Sequence, residues 1–457
     1  MKKISLVASS LLLCGISLNA QSLEEAIKGV DVGGYLKYEY EDNRYGQKNF
    51  RKEDSNTDPE AVQHTWSSEA TLKTPVINNV AVTLGVKYEQ SNNVNHGKGA
   101  DLNGDGEINS NDGEAFASSG LGSGGDDPFR VTQFYATITP DSTNTSVYAG
   151  KMFLNTPLND SGADRGTGIV VTNNDIANTF LTFGIYDSWA LDDDPLGTGE
   201  GIAKPMFMLG ANLGHETSYG NFNADLWGFH ADDTIDYGLY GLFAWSNAMF
   251  SASAQYVFTQ VDDDPKGVIR LPQSANNKND FLSLQAGVDL GEMGVPVTLD
   301  VGYITSFQKN FGVSLDDEGA LQKVGAIWFD TDGTESTRVN FSALTSANKP
   351  AKKDLDVFYA SATYSPLENL TLGLDFVSGK NKLSQKVNKE EVANKYKFYE
   401  ITPNVTYAYN DKIEISTYYA YLRTERSGAE WDSVKANKLE SEKEQRAQFK
   451  VEATYSF

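Results

Sequence analysis

Apolar and polar residues alternate one by one along the last eleven residues of the chain, Ala447 to Phe457. Val451 and Phe457 fall on one face of this segment, and Lys450 and Glu452 fall on the other. A period of two indicates a β-strand with one apolar and one polar face. Such a strand fits a soluble sheet whose polar face is wet. It also fits the closing strand of a transmembrane barrel, with lipid on one side and water on the other.

The same alternation recurs along the chain in segments of roughly ten residues. Short turns and longer polar loops connect these segments alternately. This pattern predicts an all-β fold, a transmembrane antiparallel β-barrel of about 18 strands with short periplasmic turns and long extracellular loops. The inward positions carry Gly, Ser, Thr, Lys and Glu, which favours an open lumen over a plugged one. The predicted strands are Val32–Tyr40, Val62–Thr74, Val80–Tyr88, Gln133–Thr139, Val147–Leu154, Gly168–Thr172, Thr179–Asp187, Met206–Leu213, Phe222–Phe229, Tyr237–Trp245, Phe250–Thr259, Phe281–Leu290, Val297–Thr305, Val357–Tyr364, Leu370–Phe376, Tyr399–Tyr407, Ile413–Tyr421 and Ala447–Phe457.

The amino terminus has the features of an export signal. Lys2 and Lys3 precede a short apolar run at residues 6–16, and residues 18–20 form an acceptable cleavage site. The run is too short for a membrane anchor, and the large residue before Cys14 disfavours a lipoprotein signal. We therefore predict a signal peptide over residues 1–20 and a single barrel domain over residues 21–457. Cys14 is the only cysteine, so the mature chain forms no disulfide.

Composition narrows the class of protein further. The 457 residues carry a net charge of −24, and removal of the two signal lysines gives −26 for the mature chain. A mean hydropathy of −0.41 argues against a helical membrane protein. The acidity argues against nucleic-acid binding. In a barrel it predicts a preference for cations, because a negatively charged lumen concentrates them.

Two blocks of sequence resemble a known family. Residues 23–32, running into Tyr35–Tyr38, look like the mature start of the Campylobacter-type major outer membrane proteins. Tyr148–Lys151, with Leu154-Asn155 and Gly166–Asn174 after it, resembles a second block of that family. Its members are 18-stranded, trimeric general-diffusion porins, so the resemblance implies a homotrimer in the outer membrane of a Gram-negative bacterium. The Gly/Asp-rich stretch Asn92–Asp127 is an insertion relative to the family pattern.

That insertion contains the sharpest local motif of the chain. Oxygen-bearing side chains and a backbone carbonyl recur at positions one, three, five, seven, nine and twelve of a loop, with Gly106 at position six for the sharp turn. This spacing wraps oxygen ligands around one Ca²⁺ ion. The alternative is a solvated acidic loop, because Asp, Asn and Gly also mark turns. The predicted ligands are Asp101, Asn103, Asp105, Glu107, Asn109 and Asp112.

A second candidate site is the segment Asn155–Arg165. In porins the loop after the fifth strand folds into the lumen, and here that loop carries Asp160, Asp164 and Arg165. Acids and bases that oppose each other across a narrow channel set up a transverse field that filters solutes. The expected wall partners are the inward-facing Lys37, Lys87 and Arg130. The alternative is a surface loop with ordinary ion pairs.

The remaining features concern the surface and the seam of the barrel. Acid runs at residues 192–194, 262–264 and 316–318 are expected in solvated external loops, where divalent cations would bridge them to lipopolysaccharide. Ala447–Phe457 is expected to pair with Val32–Tyr40, which places Lys450 and Glu452 beside Lys37 and Glu39. Phe457 would then be recognised by the barrel-assembly machinery.

These observations favour a water-filled, cation-preferring porin for small hydrophilic solutes and ions. The alternative is a non-conducting surface barrel that acts in adhesion through acidic, calcium-binding loops. No enzymatic motif is found. The four histidines lie far apart without metal-ligand spacing, and no phosphate-binding loop follows a strand. An outer-membrane hydrolase, with residues that converge only in space, is disfavoured.

Overall fold

The protein is described by a computed structural model. The described residues are 29–46, 61–95, 129–192, 201–263, 267–269, 277–316, 319–329, 337, 339, 341, 352–387, 390–429 and 438–457. The predicted signal peptide and the calcium-type loop at residues 101–112 lie outside them. Of the insertion Asn92–Asp127, only the first four residues are described, and they continue the third strand. Within the described ranges, no helix is both long and apolar enough to cross a membrane.

Eighteen antiparallel strands form one closed sheet. Each strand pairs with its neighbours in chain order, and β18 pairs with β1 to close the barrel. One 3₁₀ turn, Gly291–Met293, lies between β12 and β13. The strands are β1 Asp31–Gly46, β2 Ala61–Lys73, β3 Val80–Asn95, β4 Phe129–Ile138, β5 Thr145–Phe153, β6 Arg165–Asn173, β7 Thr179–Ala190, β8 Met206–Thr217, β9 Gly220–Ala231, β10 Ile235–Ser246, β11 Phe250–Val261, β12 Lys278–Asp289, β13 Val297–Thr305, β14 Lys352–Leu367, β15 Leu370–Val387, β16 Glu390–Asn410, β17 Ile413–Ala429 and β18 Lys438–Ser456.

Every predicted strand overlaps one observed strand, so the predicted fold class is confirmed. The main difference is the length of β15 to β18, which continue well beyond the predicted segments toward the barrel end that carries the long connections (the loop end). There the outward positions carry residues such as Lys380 and Lys397, so the hydropathy no longer alternates. The backbone pairing continues regardless, with Lys380 opposite Lys397.

The two faces of the strands have opposite chemistry. On β3, Val80, Val82 and Val86 are exposed on the outside, whereas Thr83 and Lys87 are buried on the inside. A band of exposed apolar side chains around a closed barrel is the surface that lipid covers. The described outer face therefore has the composition of a membrane-spanning barrel.

The seam between β18 and β1 forms as predicted. Lys37 Nζ lies 3.5 Å from Glu452 Oε2, and Lys450 Nζ lies 3.0 Å from Glu39 Oε2. At the end of the barrel with short turns (the turn end), the Phe457 N–H donates to the Gly34 carbonyl at 3.0 Å. A Cβ at Gly34 would lie 2.2 Å from the Glu69 carbonyl oxygen and 2.8 Å from the Phe457 ring, so only glycine fits there.

The lumen has one polar side and one apolar side. The inward positions of β18 and β1 to β4 carry the polar residues expected from the sequence. Those of β7 to β17 combine polar residues such as Gln255, Gln285 and Glu400 with many bulky apolar ones, so the prediction of small and polar inward residues holds only in part on this side. Bulky apolar residues in contact with lumenal water would be unfavourable, and here they are covered by the connection between β13 and β14. The buried inward residues include Tyr186, Met206, Phe229, Tyr240, Val257, Phe281, Tyr359, Val377, Phe398 and Leu422.

Candidate functional site

Two loops meet inside the barrel. One is the β5–β6 loop, residues 154–164, and the other is the β13–β14 loop, of which residues 306–316 and 319–329 form the main described part. The Leu315 N–H donates to the Leu158 carbonyl at 2.7 Å, and the Ala320 N–H donates to the Pro157 carbonyl at 3.0 Å. Leu158 and Leu315 are both buried. The two loops therefore form one packed unit within the lumen.

A buried carboxylate holds the start of the β13–β14 loop. Asp280 on β12 accepts hydrogen bonds from the Ser306 hydroxyl at 2.8 Å, the Phe307 N–H at 3.1 Å and the Gln308 N–H at 2.7 Å. Hydrogen bonds to a charged acceptor are the strong ones. They fix the start of the loop to the end of β12, next to the point where the chain leaves β13.

A second buried carboxylate holds the middle of the same loop. Glu400 on β16 accepts from the Ala326 N–H at 2.5 Å, the Ile327 N–H at 3.1 Å and the Thr402 hydroxyl at 2.7 Å. The chain reaches Glu400 through Gly325, whose φ of +88° suits glycine. A Cβ at Gly325 would lie 2.8 Å from Glu400 Oε1, so a side chain would also displace the carboxylate.

Glutamines connect the loop to β11 and β12 between these two carboxylates. The Gln322 N–H donates to Gln255 Oε1 at 2.7 Å, and Gln322 Nε2 donates to Gln285 Oε1 at 3.0 Å. Gln255 in turn donates to the Ala320 carbonyl at 2.8 Å. With Asp280 and Glu400, three separate anchors attach the β13–β14 loop to β11, β12 and β16.

The opposite wall carries a row of charged side chains at one level. The register places Tyr35 opposite Glu69, Glu69 opposite Lys87, and Lys87 opposite Arg130. Glu89 lies 2.6 Å from Lys87 Nζ and 3.0 Å from an Arg130 nitrogen. Two of the predicted wall cations thus share one carboxylate. Lys37, the third, is held by Glu39 and Glu452 at the seam.

Glu69 is the acceptor at the centre of this wall. It is buried and accepts from the Thr132 hydroxyl at 2.6 Å and from Gln133 Nε2 at 3.1 Å. The consecutive residues Thr132 and Gln133 can both reach Glu69 because the pairing of β3 with β4 is irregular after Gly85. A β-bulge changes the direction of side chains in this way. Glu69 and Glu89 were not predicted as site residues. Both residues lie at inward positions of strands in which apolar and polar residues alternate, close to Lys87, and this pattern could have identified them in the sequence.

Arg165 links the β5–β6 loop to this wall. A terminal guanidinium nitrogen lies 3.6 Å from Glu69 Oε2, and the other donates to the Asp164 carbonyl at 3.0 Å. The guanidinium also lies 3.7 Å from the centroid of the Phe153 ring, a cation–π geometry. Arg165 is buried, so it holds the end of the loop and is only slightly open to the lumen.

The carboxylates of the lumenal loops gather on the other side of Arg165. Asp164 Oδ2 accepts the Asp160 N–H at 3.0 Å, and Asp164 Oδ1 accepts the Asp192 N–H at 3.0 Å. Burial, reinforced by the charges of Asp192 and Asp160, raises the pKa of Asp164 to about 8. Asp164 is therefore largely protonated at neutral pH unless a cation is bound nearby.

Three of these acids have oxygens that converge on one point. Carboxylate oxygens of Asp164, Asp192 and Asp316 all lie within 4.8 Å of one another. Such oxygens are the ligands that divalent cations such as Ca²⁺ use, so these residues could contribute to a cation site. Asp192 and Asp316 were expected in solvated external loops. For Asp316 this is wrong, because the packing of the two lumenal loops buries it completely.

The structure brings some of the predicted site residues together. Asp160, Asp164 and Arg165 lie in one cluster, and Lys87 and Arg130 lie on the adjoining wall. Asp192 lies close enough to Asp160 and Lys87 for both charges to affect its pKa. Lys37 belongs to a separate group at the seam. The predicted calcium ligands Asp101 to Asp112 lie outside the described residues.

Comparison with known proteins gives a family and a fold. The family model of the Campylobacter major outer membrane protein matches residues 1–455. Among solved structures, Pseudomonas aeruginosa OpdO is similar at 10% identity, with 96% of this chain and 99% of that chain covered and a TM-score of 0.57. Acinetobacter baumannii OccAB1 is similar at 12% identity over 93% and 97% of the two chains, with a TM-score of 0.56.

A third solved structure, Pseudomonas aeruginosa OpdK with vanillate, is similar at 12% identity over 94% of this chain and 99% of that chain, with a TM-score of 0.56. No curated protein matches the chain. At such identities the solved structures indicate a shared fold. Because the family model covers nearly the whole sequence and the strands close into an 18-stranded barrel, the chain belongs to the Campylobacter major outer membrane protein family and is an outer-membrane porin for small solutes.

Proposed function

We propose that this porin conducts small hydrophilic solutes and ions passively, with a preference for cations. The path would run between the polar wall of β18 and β1 to β4 and the packed unit of the two lumenal loops. The observation that supports this path is the asymmetry of the lumen. The apolar side is covered by the β13–β14 loop, and charged side chains line the side opposite.

The preference for cations follows from the distribution of charge along that path. The wall cations Lys37, Lys87, Arg130 and Arg165 each have a carboxylate oxygen within 3.6 Å. Their field is therefore largely cancelled by their own partners. The carboxylates of the lumenal loops add negative charge beyond these ion pairs. A net negative lumen concentrates cations.

Planar-bilayer recording tests both parts of the proposal. Purified protein should produce conductance steps, and the reversal potential in a potassium chloride gradient should indicate cation selectivity. Replacing both Asp160 and Asp192 with Asn should lower that selectivity. Asp141→Asn, an exposed change in a turn-end connection, is the matched control and should leave it unchanged. Anion selectivity of the wild type would contradict the proposal.

The non-conducting surface barrel is the second candidate. The observation in its favour is the apolar filling of one side of the lumen, because bulky inward residues are typical of plugged barrels. Absence of conductance steps from folded protein would support this candidate over the porin. An enzyme is not proposed, because a porin family indicates a channel.

The loop at residues 101–112 is proposed to bind calcium in addition. Replacing Asp101 and Asp105 with Ala should abolish the binding heat of that site in calorimetry. The converging oxygens of Asp164, Asp192 and Asp316 are unaffected by this double variant, so any heat that remains belongs elsewhere. No heat from the wild type with millimolar calcium would rule the site out.

Three partners complete the proposal. The family resemblance supports a homotrimer, which should open in three conductance steps. The loop carboxylates, Asp262 and Asp263 among them, would be bridged by divalent cations to lipopolysaccharide. Phe457, at the turn end beside Gly34, would be the residue recognised by the barrel-assembly machinery.

A further inference from the structure

The outward faces of β15 to β18 change from apolar to basic at one level of the barrel. On β15 the exposed outward residues Leu372, Leu374 and Phe376 are followed toward the loop end by Ser378 and then Lys380. On β16 to β18 the outward residues also change to cations at this level, whereas on β14 they change to Asp356 and Asp354. The outward cations of β15 to β18 in this region are Lys380, Lys382, Lys395, Lys397, Arg423 and Lys443, which we call the basic patch.

The strand register brings these cations together. Lys380 lies directly opposite Lys397, Lys382 opposite Lys395, and Arg423 opposite Tyr399. Like charges in directly opposed positions destabilise a sheet unless an anion lies between them. Carboxylates alternate with these cations in the register: Asp356 lies opposite Lys380, Asp354 opposite Lys382, and Glu425 opposite Lys397. These three described carboxylates are fewer than the six cations of the basic patch.

Part of the basic patch has no carboxylate partner. Lys380 Nζ lies 3.1 Å from Asp356 Oδ2. Lys397 and Arg423, by contrast, take part in no ion pair with any residue the structure describes. In a chain with a net charge of −24, an excess of outward cations over carboxylates in one patch indicates an external anion.

A groove on the outside of the barrel joins the cations to the apolar band. Its volume is about 530 Å³, and its charged lining consists of three cations, Lys380, Lys397 and Arg423, and two carboxylates, Asp356 and Glu425. The rings of Phe358 and Tyr399 also line it. Phe358 is exposed on the outside of β14. The groove thus offers cations at one end and aromatic surface at the other, which matches an amphiphile with an anionic headgroup.

The height of the basic patch fits the membrane surface. Leu370 lies opposite Tyr407 near the turn end, and Lys380 follows ten residues along β15. Ten residues extend about 33 Å along a strand, and a tilt of about 40° reduces this to about 25 Å along the barrel axis, the usual height of the apolar band. Lys380 and Lys397 therefore lie where lipid headgroups begin.

We propose that the basic patch binds the phosphate of an outer-leaflet glycolipid. Arg423, Lys380 and Lys397 contact the phosphate, and the acyl chains lie along the apolar band below Phe358. Guanidinium groups bind phosphate in a bidentate manner, and ammonium groups add point charges. The site lies on the outside of the barrel and is independent of conduction through the lumen.

The test compares three purified proteins in detergent by native mass spectrometry. These are the wild type, Lys397→Gln with Arg423→Gln, and the matched control Lys73→Gln with Lys412→Gln, which removes two exposed cations at the turn end. The probes are phosphorylated lipid A, phosphate-free lipid A and inorganic phosphate. The β-sheet signal of each protein in circular dichroism establishes that its barrel is folded, whether or not it conducts.

We expect the wild type and the control to bind phosphorylated lipid A equally. The Lys397→Gln and Arg423→Gln protein should bind it about tenfold more weakly, because two charge-assisted contacts are lost. Exchanging the two cations, Lys397→Arg with Arg423→Lys, should retain most of the affinity. Equal binding by wild type and the Gln variant, or equal binding of phosphate-free lipid A by the wild type, would overturn the proposal. Displacement of the lipid by inorganic phosphate at equal concentration would overturn it in favour of a free-anion site.

Discussion

Replacement of Glu400 by Gln tests whether the β13–β14 loop is a fixed wall of the lumen. The carboxylate of Glu400 is completely buried and receives the N–H groups of Ala326 and Ile327 and the hydroxyl of Thr402. A glutamine of nearly the same shape would keep the volume filled. It would remove the negative charge and turn an NH₂ group toward donors that need an acceptor.

The size of the effect follows from these contacts. A hydrogen bond to a charged group contributes about 1.5–3 kcal/mol, and the amide can still accept at one oxygen. Loss of the contacts at the other oxygen should weaken docking of the loop by about 3 kcal/mol. Because about 1.4 kcal/mol corresponds to a factor of ten, the undocked fraction of the loop should rise about 100-fold. The rings of Trp328 and Phe398, stacked with centroids 5.8 Å apart, keep the loop docked most of the time.

Single-channel recording provides the assay. The Glu400→Gln channel should show more open-channel current noise and brief excursions to higher conductance, since the loop leaves its wall transiently. Glu368→Gln makes the same chemical change at an exposed turn-end position and should behave like the wild type. A Glu400→Gln channel with unchanged noise, conductance and thermal stability would refute the argument that this carboxylate holds the loop.

Three further predictions concern the charged wall and the seam. Burial raises the pKa of Asp164 from its ordinary value of about 4 to about 8. Cation selectivity should therefore increase as the pH rises from 6 to 9, and Asp164→Asn should remove this increase in reversal-potential measurements. Glu69→Gln leaves buried Arg165 without its carboxylate, so it should destabilise the barrel by about 3 kcal/mol and lower its thermal unfolding temperature; an unchanged temperature would contradict the ion pair. Deletion of Phe457 removes the hydrogen bonds to Gly34 and should reduce the amount of inserted protein more than the conductance of the channels that do insert, as measured by membrane fractionation and bilayer recording.

The barrel could be predicted from the sequence because each strand is specified locally. On β3, Val80, Val82 and Val86 face lipid while Thr83 and Lys87 face the lumen, and this contrast is visible within that short segment alone. The seam could be predicted as well, since closure leaves only one partner for the terminal strand. The ion pairs of Lys37 with Glu452 and of Lys450 with Glu39 confirm it.

The lumenal packing could not be predicted in the same way. Asp316 stands in an acid run that is indistinguishable in sequence from the runs at residues 192–194 and 262–264, and its burial depends on contacts with Leu158, far away along the chain. Glu400 likewise has no local signal, because its partners are backbone N–H groups of Ala326 and Ile327. Backbone donors carry no sequence signature, so such anchors become visible only when the loop is placed against the wall.

Because the two sides of the lumen differ, some positions determine how the interior is assembled and others determine which solutes pass. Under the proposed path, substitutions at inward positions of β7 to β17, such as Tyr359 or Phe398, alter how firmly the interior is assembled. Those at Glu89 or Lys87 alter what passes. Selection for a different nutrient or against a toxic solute can therefore change residues of the polar wall, while residues at the inward positions of β7 to β17 change independently.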